Sequence, residues 1–306
     1  MIDVTKHGVT GNGITDDTDA LQAVVNEGIA TAHPCYLPSG RYKITKPIVM
    51  HGASGLFGDG VLTCIYTEKN IPMFVIDTSL SDCYYPEIRN MLFYTAPLSD
   101  RSNSCAIYVT GNTLNWGPVR GIFSQLTMSG QGAGFKFDKN SGVAENRHDW
   151  NRFSDITISS TDYGFLFKNG SGTGNVFSNL VLITGQYGMR WAGENGCNIG
   201  DIIISGVHMG GERTGISGSK TGAYRSRITI TGYQADAGIV TGLDFENYEH
   251  ITAVGVLGGA TNNKIVNCTN SVIIGNGIID YAIPPVVVQP LQPITNPWYD
   301  VSWLWR

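Results

Sequence analysis

The sequence predicts an all-β fold. It is a right-handed parallel β-helix (solenoid) with an N-terminal capping helix and an extended C-terminal tail. Three observations carry this. Glycine supplies 39 of the 306 residues and charged residues only 15%, a balance that suits short strands joined by tight turns better than a helical bundle. Two short motifs recur at 24 to 30 residue intervals downstream of residue 85. Within each motif apolar residues alternate with period two, the period of a strand.

Residues 1–43 read as a cap. Ile2, Asp3 and Val4 suit a short strand, and Gly8, Gly11 and Gly13 a glycine-rich loop. Ala20, Leu21, Val24 and Val25 share one face of a helix. Thr15 or Asp16 fits its N-cap, and Asp17 and Asp19 fall in its first turn, beside the positive end of the helix dipole. CYLPSGRYKIT, 35–45, reads as strand, Pro-Gly turn and strand, and GLFGDG, 55–60, as a further tight turn.

Residues 44–283 read as the solenoid. One motif is NRFSDITI at 151–158 and NVFSNLVL at 175–182, with NIGDIII at 198–204 as a shorter relative and GIFSQLTM (121–128) and PEIRNMLF (86–93) as weaker copies. The other is Gly-apolar-x-apolar: GFKF at 134–137, GFLF at 164–167, GMRW at 188–191 and a degenerate GISG at 215–218. Three short runs per repeat cannot bury their apolar faces alone, so the repeats must stack. At roughly 25 residues per coil this gives about nine coils. Asn90, Gln125, Asp155, Asn179 and Asp201 fall at one register position and read as a turn ladder, which makes Asp155 and Asp201 structural. Phe137, Phe167 and Trp191 form an inward aromatic column, so Trp191 is core rather than a sugar platform.

Residues 284–306, PPVVVQPLQPITNPWYDVSWLWR, contain five prolines, which exclude regular helix and sheet. Trp298, Tyr299, Trp303, Leu304 and Trp305 would leave a large apolar patch on a monomer, the mark of an interface, or else cap the last coil.

The net charge is −5 and no basic run occurs, which argues against nucleic acid as a partner. No apolar run approaches the roughly 20 residues that cross a bilayer, so no membrane partner is expected. The N-terminal stretch lacks the apolar centre of a signal peptide, which predicts a cytosolic chain or one released with a virus. Six scattered cysteines without a CxxC pair are expected to be reduced, buried thiols. No DxD-type run supports calcium, so neither a metal nor another cofactor is expected.

The stretch DVTKHGVTGNGITDDTDALQ followed by YLPSGRYKI resembles the opening segment of pectate-lyase-like β-helix proteins, and within them bacteriophage tailspike depolymerases. The segment spans about the first 60 residues, and the coil repeats extend the likeness to about residue 280. The resemblance implies a homotrimer that binds and cleaves bacterial surface polysaccharide, located in the virion tail after synthesis in the host cytoplasm. It leaves hydrolysis and β-elimination both open. Alginate epimerases share the opening segment, but their Asp-Pro-His-Glu signature is absent. Tailspikes often carry an N-terminal virion-attachment region, whereas here the opening segment starts at residue 2. Either that region was removed, or the chain is a short spike held by a phage tail or adaptor protein, or it is a free enzyme.

Ligands of a solid solenoid bind outside it. The x position of the Gly-apolar-x-apolar strand faces out and places Lys136, Leu166 and Arg190 on one face, where two cations suit an anionic glycan. The loop DKNSGVAENRHDWNR, 138–152, is longer than its counterparts and concentrates Glu145, Arg147, His148, Asp149 and Trp150. Its carboxylates can serve as a glycosidase pair, and His or Arg can take a proton in a lyase. Trp150 can stack on a sugar. Neighbouring loops add Asp162, Tyr163, Tyr187, Glu194, Glu212 and Arg213, with Asp138 directly after its strand. The candidate catalytic residues are thus Glu145, His148, Asp149, Asp162, Glu194 and Glu212. The candidate substrate-binding residues are Lys136, Arg147, Trp150, Tyr163, Tyr187, Arg190 and Arg213. Asp244, Glu246 and Glu249 read as solvated turn charges. A depolymerase is the favoured function, hydrolysis ahead of elimination. The rivals are a non-catalytic receptor-binding spike and a bacterial polysaccharide lyase or epimerase.

Overall fold

The structure, a computed structural model, describes residues 1–111, 116–138, 148–169, 172–192, 199–211, 214–219, 227–236, 239–258, 262–266, 268, 271–275, 279–282 and 287–288. It is an all-β parallel solenoid of about eight turns, one fewer than the repeat length suggests. Each strand pairs in parallel with its equivalents in the coils before and after.

The repeats set the register. Phe123, Phe153, Phe177 and Ile204 are successive partners in one sheet, and Phe135, Phe165, Met189 and Ile216 in another. Their side chains point inward and stack. The Phe135 and Phe165 rings lie 4.8 Å apart at 2°, and Phe153 and Phe177 4.8 Å apart at 7°. The two columns meet edge to face, as at Phe135 and Phe153, 5.3 Å apart at 83°. This alternation of offset stacks and T contacts follows the ring quadrupole. Phe137, Phe167 and Trp191 form the expected core column at centroid spacings of 4.4 and 5.1 Å, with Trp191 only 2% exposed.

Two columns of left-handed backbone turn the corners. Asn90, Gln125, Asp155 and Asn179 occupy one, with φ between 51° and 58°, and Gly206 continues it. Asn179 Nδ2 donates to Asp155 Oδ1 at 2.6 Å, so this ladder is partly side chain to side chain. Asp201 (φ 43°) belongs to the second column, with Tyr85, Arg120, Trp150 and Gly174, because Val176 pairs with Ile203. The likeness of NIGDIII (198–204) to the motif hides this, because Gly206, five residues beyond Asp201, holds the position of Asn179. Between the columns lies a buried ladder: Asn175 Oδ1 accepts from Asn151 N at 2.9 Å, and Asn151 Oδ1 from Gly121 N at 2.8 Å.

The N-terminal helix is Thr18–Thr31 and buries Leu21, Val24, Val25 and Gly28. At Gly28 a Cβ would lie 2.8 Å from both Cys35 Sγ and the His33 carbonyl oxygen, so only glycine allows this approach. Gln22 ties the helix to the strand Ile48–Met50, accepting from Val49 N and donating to Val49 O at 2.6 and 2.7 Å. The acidic pair works one residue out of the expected phase. Asp17 is the N-cap, yet its buried carboxylate turns back to accept from Thr10 N, Thr10 Oγ1 and Gly11 N at 2.7 to 3.0 Å. Asp16 caps instead, accepting from Thr18 N at 3.1 Å, from the Thr18 hydroxyl, and from Thr45 Oγ1 at 2.5 Å.

The sheet runs through the expected boundary at 43/44: Cys35–Leu37 and Gly40–Lys43 both pair with Gly55–Thr67, and Ile2–Asp3 and Asn12–Asp16 pair with them in turn. Of the C-terminal tail only Val287–Val288 is described, as a strand on Val272–Gly275; Trp298, Tyr299, Trp303, Leu304 and Trp305 lie outside the described residues. Cys35, Cys105 and Cys268 are buried and free, Cys83 is buried with its thiol donating to the Gly52 carbonyl at 3.3 Å, Cys64 is half-buried and free, and Cys197 lies outside the described residues. Burial pushes the Cys35 and Cys64 thiols up to about 11 and Cys105 up to about 12, so they stay protonated and inert.

Phe135→Ala, at the crossing of both aromatic columns, should lower stability by about 3–5 kcal/mol in urea unfolding. Burial works to raise the Asp16 pKa, but hydrogen bonds from Thr18 and Thr45 outweigh it and hold the carboxyl below its ordinary value. A lowered folded value stabilises the fold above the unfolded pKa of about 3.9 and is lost as pH falls through the folded one. Asp16→Asn should therefore unfold at lower urea than the parent at neutral pH, and the gap should narrow below about pH 4.

Candidate functional site

One outer face is built by register. Val75, Tyr108, Lys136, Leu166 and Arg190 occupy equivalent positions on five successive coils, and Ser217 and Asp244 continue the row. Lys136 and Arg190 are two coils apart, about 9.6 Å at the sheet spacing. Leu166, between them, is in the outward phase but covered, at 7% exposure.

At the C-terminal end of these strands Asp77 pairs with Thr110, and Thr110 Oγ1 reaches the Asp138 carbonyl oxygen at 3.4 Å. Asp77 and Asp138 thus project outward from coils two apart, again about 9.6 Å at Cα. Both are half-buried. Tyr108 lies in the intervening coil. Burial pushes its hydroxyl up first; Thr110 lowers it, and the carboxylates of Asp138 and Asp77 both raise it further, which places the phenol within the field of the two. Lys136 Nζ stands 4.0 Å from Asp138 Oδ2 and 5.3 Å above the Tyr108 ring. Asp77 accepts from Ser79 N and Oγ at 2.9 and 2.6 Å and faces His51 Nδ1 at 3.7 Å. The result is a pair of oriented carboxylates astride a tyrosine, with a lysine alongside.

At the N-terminal end of the strands Asp162 is gripped by Arg101, whose Nη2 and Nε donate to its two oxygens at 2.6 and 3.2 Å. Arg101 Nη1 also donates to the Ser160 carbonyl at 2.7 Å. Tyr163 and Tyr187 stack at 5.8 Å and 1°, Tyr163 Oη donates to Gln186 Oε1 at 2.9 Å, and the Arg190 guanidinium lies 4.4 Å above Tyr187. Asp138 pairs with Asn169, seven residues beyond Asp162, so about 23 Å of strand separates the two acids. Asp162 is therefore no partner of Asp138, and Arg101 holds it in place.

Two further expectations change. His148 is 2% exposed and its ring stacks on Phe137 at 4.9 Å and Phe167 at 5.5 Å, so it extends the aromatic core instead of facing a substrate. Asp149 is 1% exposed and accepts from Thr173 N at 2.8 Å, fastening one coil to the next. The loop folds both inward because His148 is apolar enough in its body to fill the end of the column. Trp150 does stand outside, at 46% exposure, but on another corner of the coil. Glu145, Arg147, Glu194, Glu212 and Arg213 lie outside the described residues. Sequence reasoning missed Asp77, Tyr108 and Arg101. The signal that finds Asp77 and Tyr108 is the outward phase of Pro72–Asp77 and Cys105–Thr110, the strands equivalent to GFKF two coils and one coil upstream. Among the described residues no three His, Cys, Asp or Glu side chains converge as a metal site would need.

The sequence matches the rhamnogalacturonase A/epimerase, pectate lyase-like family over residues 1–272, and the chain belongs to that family. The tailspike protein of Acinetobacter phage vB_ApiP_P1 has a similar structure, with a TM-score of 0.62 over 92% of this chain and 55% of that one, at 12% identity. The enzymatically active domain of bacteriophage CBA120 tailspike protein 2 matches 94% of this chain and 46% of that one, with a TM-score of 0.50 and 14% identity. A glucan 1,3-beta-glucosidase of Cochliobolus carbonum is 34% identical over 67 residues, 18% of this chain and 8% of that protein. The chain thus spans about half or less of the length of these relatives.

His148→Ala should lower stability by about 2–4 kcal/mol in denaturant unfolding, the scale of a core truncation, whereas a solvated loop histidine would cost under about 0.5 kcal/mol.

Proposed function

We propose that the chain is a tailspike-type depolymerase that hydrolyses glycosidic bonds of a bacterial capsular or exopolysaccharide, with Asp77 and Asp138 as its acid and base. The observation that carries this reading is the carboxylate pair set two coils apart. From a Cα spacing of about 9.6 Å, side chains leaning together would set the carboxyl groups about 6.5–9.5 Å apart, which leaves room for a water on the far side of the sugar ring, the arrangement of an inverting hydrolase. One carboxylic acid gives its proton to the leaving glycosidic oxygen as the C1–O bond breaks. The other carboxylate takes a proton from the water that attacks C1 from the opposite face. Lys136 and Arg190 draw an anionic chain onto the face, and the Tyr163 and Tyr187 pair supplies an aromatic edge at its other end.

Elimination is the second reading, since the arrangement centres on two carboxylates, the pair that hydrolysis uses. The likeness to two phage tailspikes and membership of a pectate-lyase-like family support action on polysaccharide, and with them a homotrimer carried on a virion tail or its adaptor. Glu145, Glu194 and Glu212 remain candidates for further carboxylate roles, with Arg147 and Arg213 as glycan contacts.

The test is incubation with a panel of bacterial polysaccharides, following reducing ends and the ultraviolet absorbance of unsaturated uronates. Hydrolysis gives reducing ends without absorbance. Asp77→Asn and Asp138→Asn should each cut turnover by about 10²–10⁴-fold while retaining the β-sheet circular dichroism spectrum. A rise in absorbance would replace hydrolysis by elimination. Binding with neither signal would make the protein a receptor-binding spike.

A further inference from the structure

The second corner column has an uneconomical composition. Tyr85, Arg120 and Trp150 hold φ of 55° to 56° on three successive coils, a conformation that bulky L side chains adopt reluctantly and that glycine or asparagine adopts easily. The neighbouring column meets the same need with Asn90, Asn179 and Gly206. The backbone therefore does not ask for a tyrosine, an arginine and a tryptophan here; their side chains do.

Those side chains make one exposed ridge. Tyr85 is 59% and Trp150 46% exposed. The Arg120 guanidinium sits between them, 5.8 Å from the Tyr85 ring centre and 5.7 Å from Trp150, and its Nη1 donates to Tyr85 Oη at 2.7 Å. No carboxylate pairs with Arg120 among the described residues. Gly174 gives the indole its seat: a Cβ there would fall 2.3 Å from Trp150 Cδ1. Beyond Tyr85 opens a groove of about 260 Å³, walled by His33, Pro34, Phe57, Tyr85 and Glu87. It is smaller than the roughly 300–1,000 Å³ of sites for drug-sized ligands, and suits a single sugar.

We propose that Tyr85, Arg120 and Trp150 form a holding site for an acidic polysaccharide, distinct from the Asp77 and Asp138 pair. Arg120 takes a sugar carboxylate in a forked pair of hydrogen bonds, the rings on either side cover apolar sugar faces, and the next residue of the chain enters the groove beside Tyr85. Tyr85 follows Asp77, Arg120 follows Thr110 and Trp150 follows Asp138 along the chain, on three successive coils. The assignment of glycan as ligand rests on the proposed function; the holding role does not require cleavage.

The test is affinity electrophoresis of the Asp138→Asn protein in native gels containing alginate, polygalacturonate or hyaluronan, with dextran as the neutral control. Retardation is expected in at least one uronate gel and not in dextran, and should weaken as salt rises. Arg120→Asn and Trp150→Asn place asparagine where the other column already uses it, so both should melt at or above the parent temperature while losing at least about five-fold in retardation. Absence of retardation in all uronate gels, or retardation unchanged in both variants, overturns the proposal. A parent protein that is retarded but that cleaves no polysaccharide would remove the hydrolase reading and leave this site standing.

Discussion

Backbone hydrogen bonding between coils, at the fixed spacing of about 4.8 Å, is the constraint on which the rest of this structure depends. It makes each side chain the neighbour of its equivalents one coil away, so like residues meet like. The core profits, because stacked phenylalanines such as Phe135 and Phe165 keep a favourable offset and interlock with a second column edge to face. The surface is governed by the same rule. Backbone distances between outward residues come in whole coils, and the proposed pair, Asp77 and Asp138, stands two coils or about 9.6 Å apart at Cα, from which side chains leaning together would bring the carboxyl groups into the range of about 6.5–9.5 Å of inverting hydrolysis.

A solenoid also has ends and corners to manage. The first end of a solenoid would leave the core open, and the helix Thr18–Thr31 packs there, locked to the strand Ile48–Met50 by Gln22 and to Cys35 by the close approach at Gly28. The two acids that begin this helix act on backbone: Asp17 holds the glycine-rich loop from within, and Asp16 caps the helix start and reaches Thr45. Carboxylates that serve chemistry and carboxylates that serve architecture look alike in sequence. They differ in what else surrounds them: Asp16 and Asp17 accept from amides and hydroxyls around the helix start, whereas Asp77, although it too accepts from the Ser79 amide and hydroxyl, faces outward with Asp138 around a tyrosine.

Much of the fold was legible in the sequence. The Phe-Ser and Gly-apolar-x-apolar motifs recur at coil length, and their alternation fixes which residues face in, so the column of Phe137, Phe167 and Trp191 and the outward Lys136 and Arg190 followed directly. The site was less legible. Asp77 and Asp138 are 61 residues apart, and only the register through Thr110 brings them together. The same holds for Arg101 and Asp162. His148 and Asp149 misled because a polar loop sequence gives no sign that two of its members fold inward, one onto an aromatic column and one onto a backbone amide. Asp201 was placed in the wrong column because NIGDIII resembles the Phe-Ser motif, whereas this coil is longer than the one before and the register sets Ile203, not Ile199, opposite Val176.

The claim that coil spacing dictates the chemistry is tested most directly by proton NMR of the first product released from a cleaved polysaccharide, recorded before mutarotation. The account predicts a reducing-end anomer opposite in configuration to the bond that was broken. A product that keeps the original configuration would require carboxylates about 5–5.5 Å apart and would contradict it.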